Sequence, residues 1–300
     1  MPSRGFTGVF PVLVTPFAEN GAVDERSLES LVDFALERKA SGLTVLGVMG
    51  EAARLLEEER DRVMARVLTR AAGRVPVVVG AGGGGSRVAS EFARKAKDRG
   101  AAALLVAPPF SPSPNLDAVA AYYRDVGSAT DIPMFVQDYP PVTGVRMPVD
   151  FLAKLAREIE TARAVKLEDP PTPPKIGRLR ALFPDAARLR IFGGLGGVTC
   201  LQELERGADG IMTGYAYPEH LVAIDSKFRA GDREGAAAEY ARWLPLIVYE
   251  GQIGIGIALR KEILKRRGAI ACAGVRPPTP AIDDATRAEL SRVLDRTIGA

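Results

Sequence analysis

The runs VPVVVG at residues 75–80 and AALLVA at residues 102–107 decide the fold, because a helix-patterned segment, 86–99, separates them. Both runs are apolar throughout rather than alternating, which is typical of parallel strands that are buried on both faces. Parallel neighbours require a long crossover connection, and a helix is the usual one. The segment therefore predicts a strand–helix–strand unit.

The same unit recurs along the first two thirds of the chain. Strands are predicted at residues 8–14, 42–47, 75–80, 102–107, 132–137, 162–167, 188–193 and 209–214. Helices are predicted between them, at 24–38 with Asp24 as N-cap, at 57–72, 86–99 and 116–126, and from Pro148 onward. Strands that alternate with helices in this way predict a (β/α)8 TIM barrel, whose active-site residues lie at the C-terminal ends of the strands.

The strand pattern stops at about Val222, and helices are predicted at 233–248, 253–267 and 283–298. We therefore expect an α/β protein in two parts. Residues 1–221 form the barrel that carries the active site, and residues 222–300 form a C-terminal helical cap. A doubly wound open sheet is the structural alternative, although no Gly-x-Gly-x-x-Gly motif opens the first strand–helix turn.

Composition and charge indicate which binding partners to expect. The chain has 40 Lys and Arg against 37 Asp and Glu, and these charges are interleaved, so we expect no nucleic-acid partner. A single histidine, His220, and two cysteines, Cys200 and Cys272, fit no metal-ligand spacing, so we expect neither metal nor cofactor. Residues 1–5 carry no apolar signal region, and no apolar run reaches membrane-span length. We expect a cytoplasmic protein without a membrane partner.

Lys166, near the end of the predicted sixth strand, is the main candidate for catalysis. A lysine is rarely buried unless it is paired or functional. Burial disfavours the ammonium form, and the resulting neutral amine can form a Schiff base with a 2-oxo acid. The alternative is a structural lysine that pairs with an acid.

A series of short motifs resembles the dihydrodipicolinate synthase and N-acetylneuraminate lyase family. They are Thr15-Pro16-Phe17 and the segments 47–51, 55–59, 106–110, 165–166, 207–210 and 275–277, in family order and across essentially the whole chain. The resemblance implies a class I, Schiff-base-forming lyase on a barrel with a helical cap, usually a homotetramer. It also implies that Lys166 is the imine-forming lysine.

The loop after the second strand departs from the family pattern. The family has two hydroxyl residues between glycines there, and their hydroxyls and backbone N–H groups hold the carboxylate of the 2-oxo acid. This chain has Val48 and Met49 between Gly47 and Gly50, so the backbone donors remain while the side-chain donors are lost. We expect these four residues to bind substrate.

The loops after the fourth and fifth strands depart as well. The family's catalytic tyrosine position holds Gln137, and the arginine that binds the second substrate of the synthases is replaced by Val142. A second relay tyrosine, which the family donates across a subunit interface, is replaced by Phe110. With Val48, these substitutions remove the synthase relay, so we expect no dihydrodipicolinate synthase activity.

Two nearby residues are candidates for the missing acid–base group. If the fifth strand continues, Tyr139 faces the same side as Gln137; the alternative is that it packs against prolines at the rim. Glu168 lies on the side of Lys166 and either pairs with it or is a solvated loop residue. The proline-rich run that follows, 168–174, predicts a rigid loop without helix.

The predicted catalytic residues are thus Lys166, Tyr139 and Gln137, with the substrate-binding set Gly47, Val48, Met49, Gly50, Phe110, Gly194 and Met212. The favoured function is a Schiff-base lyase, aldolase or hydratase that acts on pyruvate or a related 2-oxo acid. The second is a dehydratase or deaminase of a sugar-derived or cyclic imino acid, and the third is a ligand-binding relative with reduced catalysis. In each case we expect a small 2-oxo acid ligand and a homo-oligomer, a tetramer or a dimer.

Overall fold

The computed structural model describes residues 5–299 and places eight parallel strands in one sheet. At least one helix follows each strand along the chain, as the sequence predicts. The strands are β1, Gly8–Pro11; β2, Leu43–Val45; β3, Val77–Gly80; β4, Ala103–Val106; β5, Met134–Asp138; β6, Ala162–Leu167; β7, Arg190–Gly193; and β8, Gly210–Thr213.

Strand order and closure make this sheet a barrel. The order is β1-β8-β7-β6-β5-β4-β3-β2, so consecutive strands are neighbours and β1 also pairs with β8. Between β1 and β2 the ladder is reduced to one parallel bridge, from Val12 to Thr44, and the Leu13 N–H donates to the Thr44 carbonyl over 2.8 Å. The predicted (β/α)8 barrel with C-terminal helices is confirmed.

Helices surround the barrel and extend beyond it. They are α1, Glu25–Glu37; α2, Glu57–Ala71; α3, Ser86–Asp98; α4, Leu116–Ser128; α5, Pro140–Thr143; α6, Val149–Glu158; α7, Thr172–Leu182; α8, Cys200–Glu205; α9, Pro218–Arg229; α10, Arg233–Glu250; α11, Gly256–Arg266; and α12, Asp284–Ile298. Asp24 caps α1 as predicted, since its carboxylate accepts the Ser27 N–H over 3.0 Å. Within residues 5–299, no helix has the length and apolar character that crossing a bilayer requires.

Two local expectations were wrong. The first strand ends at Pro11 although its apolar pattern continues to Val14, because beyond Pro11 the pairing is reduced to the single bridge from Val12 to Thr44. The proline-rich run after Glu168 contains a helix start, since α7 begins at Thr172 with two prolines in its first turn. The first N–H groups of a helix have no acceptor within it, so prolines cost no hydrogen bond there.

The predicted division at 221/222 falls inside α9, which follows β8 and packs against β1 as the last outer helix of the barrel. The helices beyond it, α10, α11 and α12, form the cap, with α10 packed against each of the other two. The division into a barrel, residues 1–221, and a cap, residues 222–300, stays a prediction. A boundary after α9 would keep that helix whole and with the barrel. Residues 1–4 and 300, which belong to these ranges, lie outside the described residues.

Apolar side chains fill the interior of the barrel and leave the polar site above them. Phe10, Phe135 and Phe192 pack edge to face, with ring centroids 5.3 Å apart from Phe10 to Phe192 and from Phe135 to Phe192. Phe135 lies two residues before Gln137, and Ala164, in the same cluster, lies two residues before Lys166. Since side chains two apart on a strand share a face, Gln137 and Lys166 extend into the mouth just above this cluster.

Candidate active site

The centre of the site is a buried polar triad at the ends of β5 and β6. Gln137 and Lys166 are register partners on adjacent strands, and Glu168 follows two residues after the lysine. The Lys166 Nζ lies 3.0 Å from Glu168 Oε2, and the Gln137 Nε2 donates to that same oxygen over 2.7 Å. Only 6% of the Lys166 side chain and 8% of the Glu168 side chain are exposed. The lysine therefore has a carboxylate base within hydrogen-bond reach and away from bulk water.

The loop after β7 holds the other oxygen of this carboxylate. The Leu195 N–H donates to Glu168 Oε1 over 3.3 Å. A Cβ on Gly194 would lie 2.4 Å from that oxygen, so only glycine leaves room for the carboxylate. Gly194, predicted to bind substrate, thus lies directly beside the triad and shapes it. With both oxygens held, Glu168 has a fixed orientation toward the lysine.

The loop after β2 forms a short 3-10 turn, Val48–Gly50, beside the mouth. Gly47 and Gly50 are buried while Val48 and Met49 are half-buried, and the Thr15 hydroxyl donates to the Gly50 carbonyl over 2.6 Å. The N–H groups of Val48 and Met49 open the turn, where no intrahelical acceptor exists. They are therefore the donors that the turn itself leaves unused.

A cavity of about 690 Å³ opens between the loops after β2, β3, β4 and β5. Val48, Phe110 and Val142 contribute apolar surface to it, and Gln137 reaches it from the barrel. Phe110 is 72% exposed and Val142 is 45% exposed. Four of the positions at which the family resemblance implies a hydroxyl, tyrosine or arginine thus line one cavity, and three of them, Val48, Phe110 and Val142, present apolar side chains.

Tyr139 is not on the fifth strand, because β5 ends at Asp138 and Tyr139 precedes the short helix α5. The premise that the strand continues was therefore wrong, since the prolines that follow start a helix at once. Burial raises the pKa of the Tyr139 phenol, and the nearby Glu168 carboxylate raises it further, while Arg260 lowers it. A phenol in this setting is protonated at neutral pH, so it can donate a proton; its role in catalysis stays a prediction.

Met212, also predicted to bind substrate, is fully buried in the apolar cluster that fills the barrel. It pairs in register with Phe10, so a substrate would meet it only at the floor of the site. Of the two tyrosines after β8, Tyr217 packs against Trp243 and Arg267 of the cap. Tyr217 is therefore part of the barrel–cap contact.

Sequence reasoning missed Arg260, which reaches the mouth from the cap helix α11. Its Nε donates to Glu250 Oε1 over 2.5 Å, and its Nη1 lies 2.7 Å from the Met49 sulfur. Burial raises the pKa of Glu250 to about 7, and the arginine opposes that rise. No sequence signal marks this arginine, because it is one of many on amphipathic helices and only the packing of the cap shows where it points.

Comparison with known proteins gives one consistent result. The model of the dihydrodipicolinate synthetase family matches residues 5–297. An L-2-keto-3-deoxyarabonate dehydratase of Azospirillum brasilense is 34% identical over 96% of this chain and 94% of its own length. A 4-hydroxy-tetrahydrodipicolinate synthase of Pelobacter propionicus is 31% identical over 96% of this chain and 98% of its own. The crystal structure of a dihydrodipicolinate synthase from Rhodopseudomonas palustris superposes with a TM-score of 0.91 at 36% identity, over 97% of both chains.

Proposed function

This chain belongs to the dihydrodipicolinate synthetase family of lyases, and we propose that it dehydrates a 2-oxo-3-deoxy sugar acid through an imine on Lys166. The observation that carries the proposal is the triad, in which one Glu168 oxygen is shared by Lys166 and Gln137. Such an arrangement supplies a nucleophile and a base without the tyrosine relay of the synthases. The similarity to a dehydratase of that substrate class supports the same reaction.

The first step needs a neutral amine. Glu168 Oε2 lies 3.0 Å from Nζ and accepts the lysine proton, so the freed amine attacks C2 of the 2-oxo acid. The carbinolamine then loses water, with Glu168 returning the proton to the departing oxygen. The Gln137 amide and the Leu195 N–H keep the carboxylate in place through this exchange.

The second step is the elimination. The protonated imine acidifies C3, Glu168 removes a C3 proton, and the electron pair moves to give an enamine. The enamine then expels the C4 hydroxyl, which takes a proton and leaves as water. Tyr139, whose phenol pKa is raised by burial and by Glu168, is the group that we propose to donate that proton. Loss of a C5 proton, which restores the phenol, and return of the Glu168 proton to C3 give a C4–C5 enol, and this enol tautomerises to the C5 aldehyde. Hydrolysis of the imine then releases the product and restores Lys166.

An aldol lyase that releases or adds pyruvate is the second candidate. The apolar cavity beside Gln137 favours it, since an aldehyde with few hydroxyls fits a surface made by Val48, Phe110 and Val142. A ligand-binding relative with reduced catalysis is the third, and it requires that the Lys166–Glu168 pair serve only structure.

Imine trapping tests the proposal. The protein is incubated with pyruvate or with 2-oxo-4,5-dihydroxypentanoate, reduced with borohydride, and digested for mass spectrometry. We expect an adduct on Lys166 and none in Lys166→Ala, with Lys154→Ala as a control because that lysine is exposed on α6. Absence of an adduct with a broad panel of 2-oxo acids would refute the lysine mechanism.

Product analysis separates the two enzymatic candidates. With 2-oxo-4,5-dihydroxypentanoate, dehydration gives 2-oxoglutarate semialdehyde, whereas an aldol cleavage gives pyruvate and glycolaldehyde. We expect the first product set. Pyruvate and glycolaldehyde at a comparable rate would transfer the assignment to the aldol lyase.

We further propose a cytoplasmic homo-oligomer, a dimer or a tetramer, whose interface covers the exposed side of the mouth. The 72% exposure of Phe110 beside the cavity supports this, since a large apolar side chain there is better covered by a second copy. Both cysteines are free, which fits a reducing compartment. Sedimentation of wild-type protein and of Phe110→Asp tests the assembly, and we expect the variant to be smaller.

A further inference from the structure

Arg260 is placed where a ligand of the barrel mouth would meet it. It is carried by α11, yet its side chain, 7% exposed, ends between the loop after β2 and the loop after β7. On one side Nη1 contacts the Met49 sulfur over 2.7 Å. On the other side a Cβ on Gly196 would lie 3.3 Å from Nη2, so this glycine leaves room for the guanidinium.

The guanidinium has more donors than the protein satisfies. It has five N–H groups. Among residues 5–299 its recorded acceptors are one carboxylate oxygen, from Glu250, and a thioether sulfur, which is a weak acceptor. Within the described part of the chain, no nitrogen of this guanidinium is both buried and without a partner, so its remaining N–H groups face accessible space, where a ligand can supply a further acceptor. The weaker of these two contacts is the one to Met49, which lies in the Val48–Gly50 turn after β2.

Arg260 belongs to the same neighbourhood as the triad. Leu195, whose N–H binds Glu168, is adjacent to Gly196, which borders the guanidinium. The pKa of the Tyr139 phenol responds to Glu168 and to Arg260 in opposite directions, as it would between an anion and a cation. Two consecutive residues of the loop after β7 therefore contact the two groups: Leu195 binds the proposed base, Glu168, and Gly196 borders the Arg260 guanidinium.

We infer that Arg260 binds the carboxylate of the 2-oxo acid and replaces the hydroxyl donors that Val48 and Met49 lack. The inference rests on the proposed function for the identity of the ligand. The Met49 side chain is unbranched and flexible, so it can move aside while a carboxylate takes its place at Nη1. Once Lys166 has given its proton to Glu168, Arg260 supplies the positive charge that the anionic substrate requires.

The neighbouring residue of α11 fixes the position of this arginine. Lys261 is fully buried, and its Nζ donates to Glu51 Oε1 over 2.6 Å and to the Gly274 carbonyl over 2.8 Å. Glu51 follows the Val48–Gly50 turn directly and adopts a left-handed backbone, with φ of 52°. The helix and the loop are thereby joined at adjacent positions, so Arg260 cannot shift away from the turn without breaking a buried ion pair.

The test measures binding of oxamate, an isostere of pyruvate that cannot form an imine, by titration calorimetry on the full chain. We expect Arg260→Met to weaken oxamate binding by about 10- to 100-fold, the range for loss of a charge-assisted hydrogen bond, and Arg260→Lys to weaken it less. Arg266→Met, on the same helix but paired with Glu262 at the surface, is the matched control and should bind as the wild type does.

A double variant guards against misfolding, because Arg260→Met alone leaves the Glu250 carboxylate buried without its cation. Arg260→Met with Glu250→Gln removes both charges and should fold while still binding oxamate weakly. Wild-type affinity in this folded double variant, or no oxamate binding by the wild-type protein, would overturn the assignment. Borohydride trapping is scored separately, so oxamate binding that depends on Arg260 without any Lys166 adduct would support this inference and refute the proposed function.

Discussion

Among single side chains, Glu168 tests the proposed chemistry most directly. Glu168→Gln keeps the shape of the side chain and removes the base that lies 3.0 Å from Nζ. We expect turnover to fall by roughly 10²- to 10⁴-fold, the usual contribution of a positioned general base. Asp169→Asn is the control in the next residue, whose carboxylate pairs with Arg146 and Lys175 instead. Equal rates in the wild type and Glu168→Gln would show that the carboxylate only neutralises the lysine.

Tyr139 is tested by a variant of its own, because its phenol is the proposed donor to the leaving hydroxyl. Tyr139→Phe retains the ring and removes the hydroxyl, so a loss of about 10²- to 10⁴-fold in steady-state turnover is expected if the phenol donates to the leaving group. Imine trapping with pyruvate should continue in this variant, since no C4 hydroxyl leaves in that reaction. Wild-type turnover would identify Tyr139 as packing at the rim.

The sequence predicted some of these side chains and missed others for a physical reason. Lys166 and Gln137 lie on strands, where the alternation of side chains determines which residues face the barrel interior. Tyr139 lies just past a strand end, and alternation no longer holds there. Arg260 comes from a helix of the cap, and its target depends on how the cap packs, which no local pattern records.

Among the helices and loops, the segment after α11 connects the cap to the barrel through an acid-sensitive pair. The guanidinium of Arg276 donates to both oxygens of Glu59 on α2, over 2.6 Å each, and to the carbonyls of Gly21 and Arg54. The hydrogen bond from Arg276 is the main cause that lowers the pKa of Glu59, from 4.5 to about 2. The carboxylate is therefore stabilised in the folded state.

Because this pKa is lowered on folding, its contribution to stability is present above about pH 4.5 and is lost as the pH falls toward 2. We expect Glu59→Gln to be less stable than the wild type at pH 6 and the difference to shrink between pH 4.5 and 2. Chemical denaturation at a series of pH values measures this. A difference that stays constant with pH would place the effect in packing instead of charge.

Over the chain as a whole, the features that a repeated local pattern determines were predictable, and the features that depend on their surroundings were not. The barrel was predictable, since each strand–helix unit carries its own apolar period and all eight repeat one pattern. The starts of α5 and α7 were not, because prolines exclude a helix interior yet suit a first turn, and the sequence does not show which case applies.

The substitutions around the mouth also predict that synthase activity is absent. We expect no synthase turnover with pyruvate and aspartate semialdehyde, because Val142 provides no clamp for the second carboxylate and Gln137 no phenol. A coupled assay measures it, and the Pelobacter relative is a suitable positive control. Turnover at an ordinary enzyme rate, about 1–10³ s⁻¹, would contradict the expectation.

The buried contact between Lys261 and Glu51 has a consequence for how this fold can change over evolution or in the laboratory. Lys261 of the cap helix α11 binds Glu51 beside the turn after β2, and the adjacent Arg260 extends to the barrel mouth. The cap therefore shapes the candidate active site together with the eight strand–helix units of the barrel. A chimeric protein that joined this barrel to the cap helices of a distant relative would keep every strand. We expect it to lose the function unless both partners of each contact between loop 47–51 and α11 came from the same parent. We expect recombination to succeed only at crossover points that leave loop 47–51 and helix α11 on the same parent.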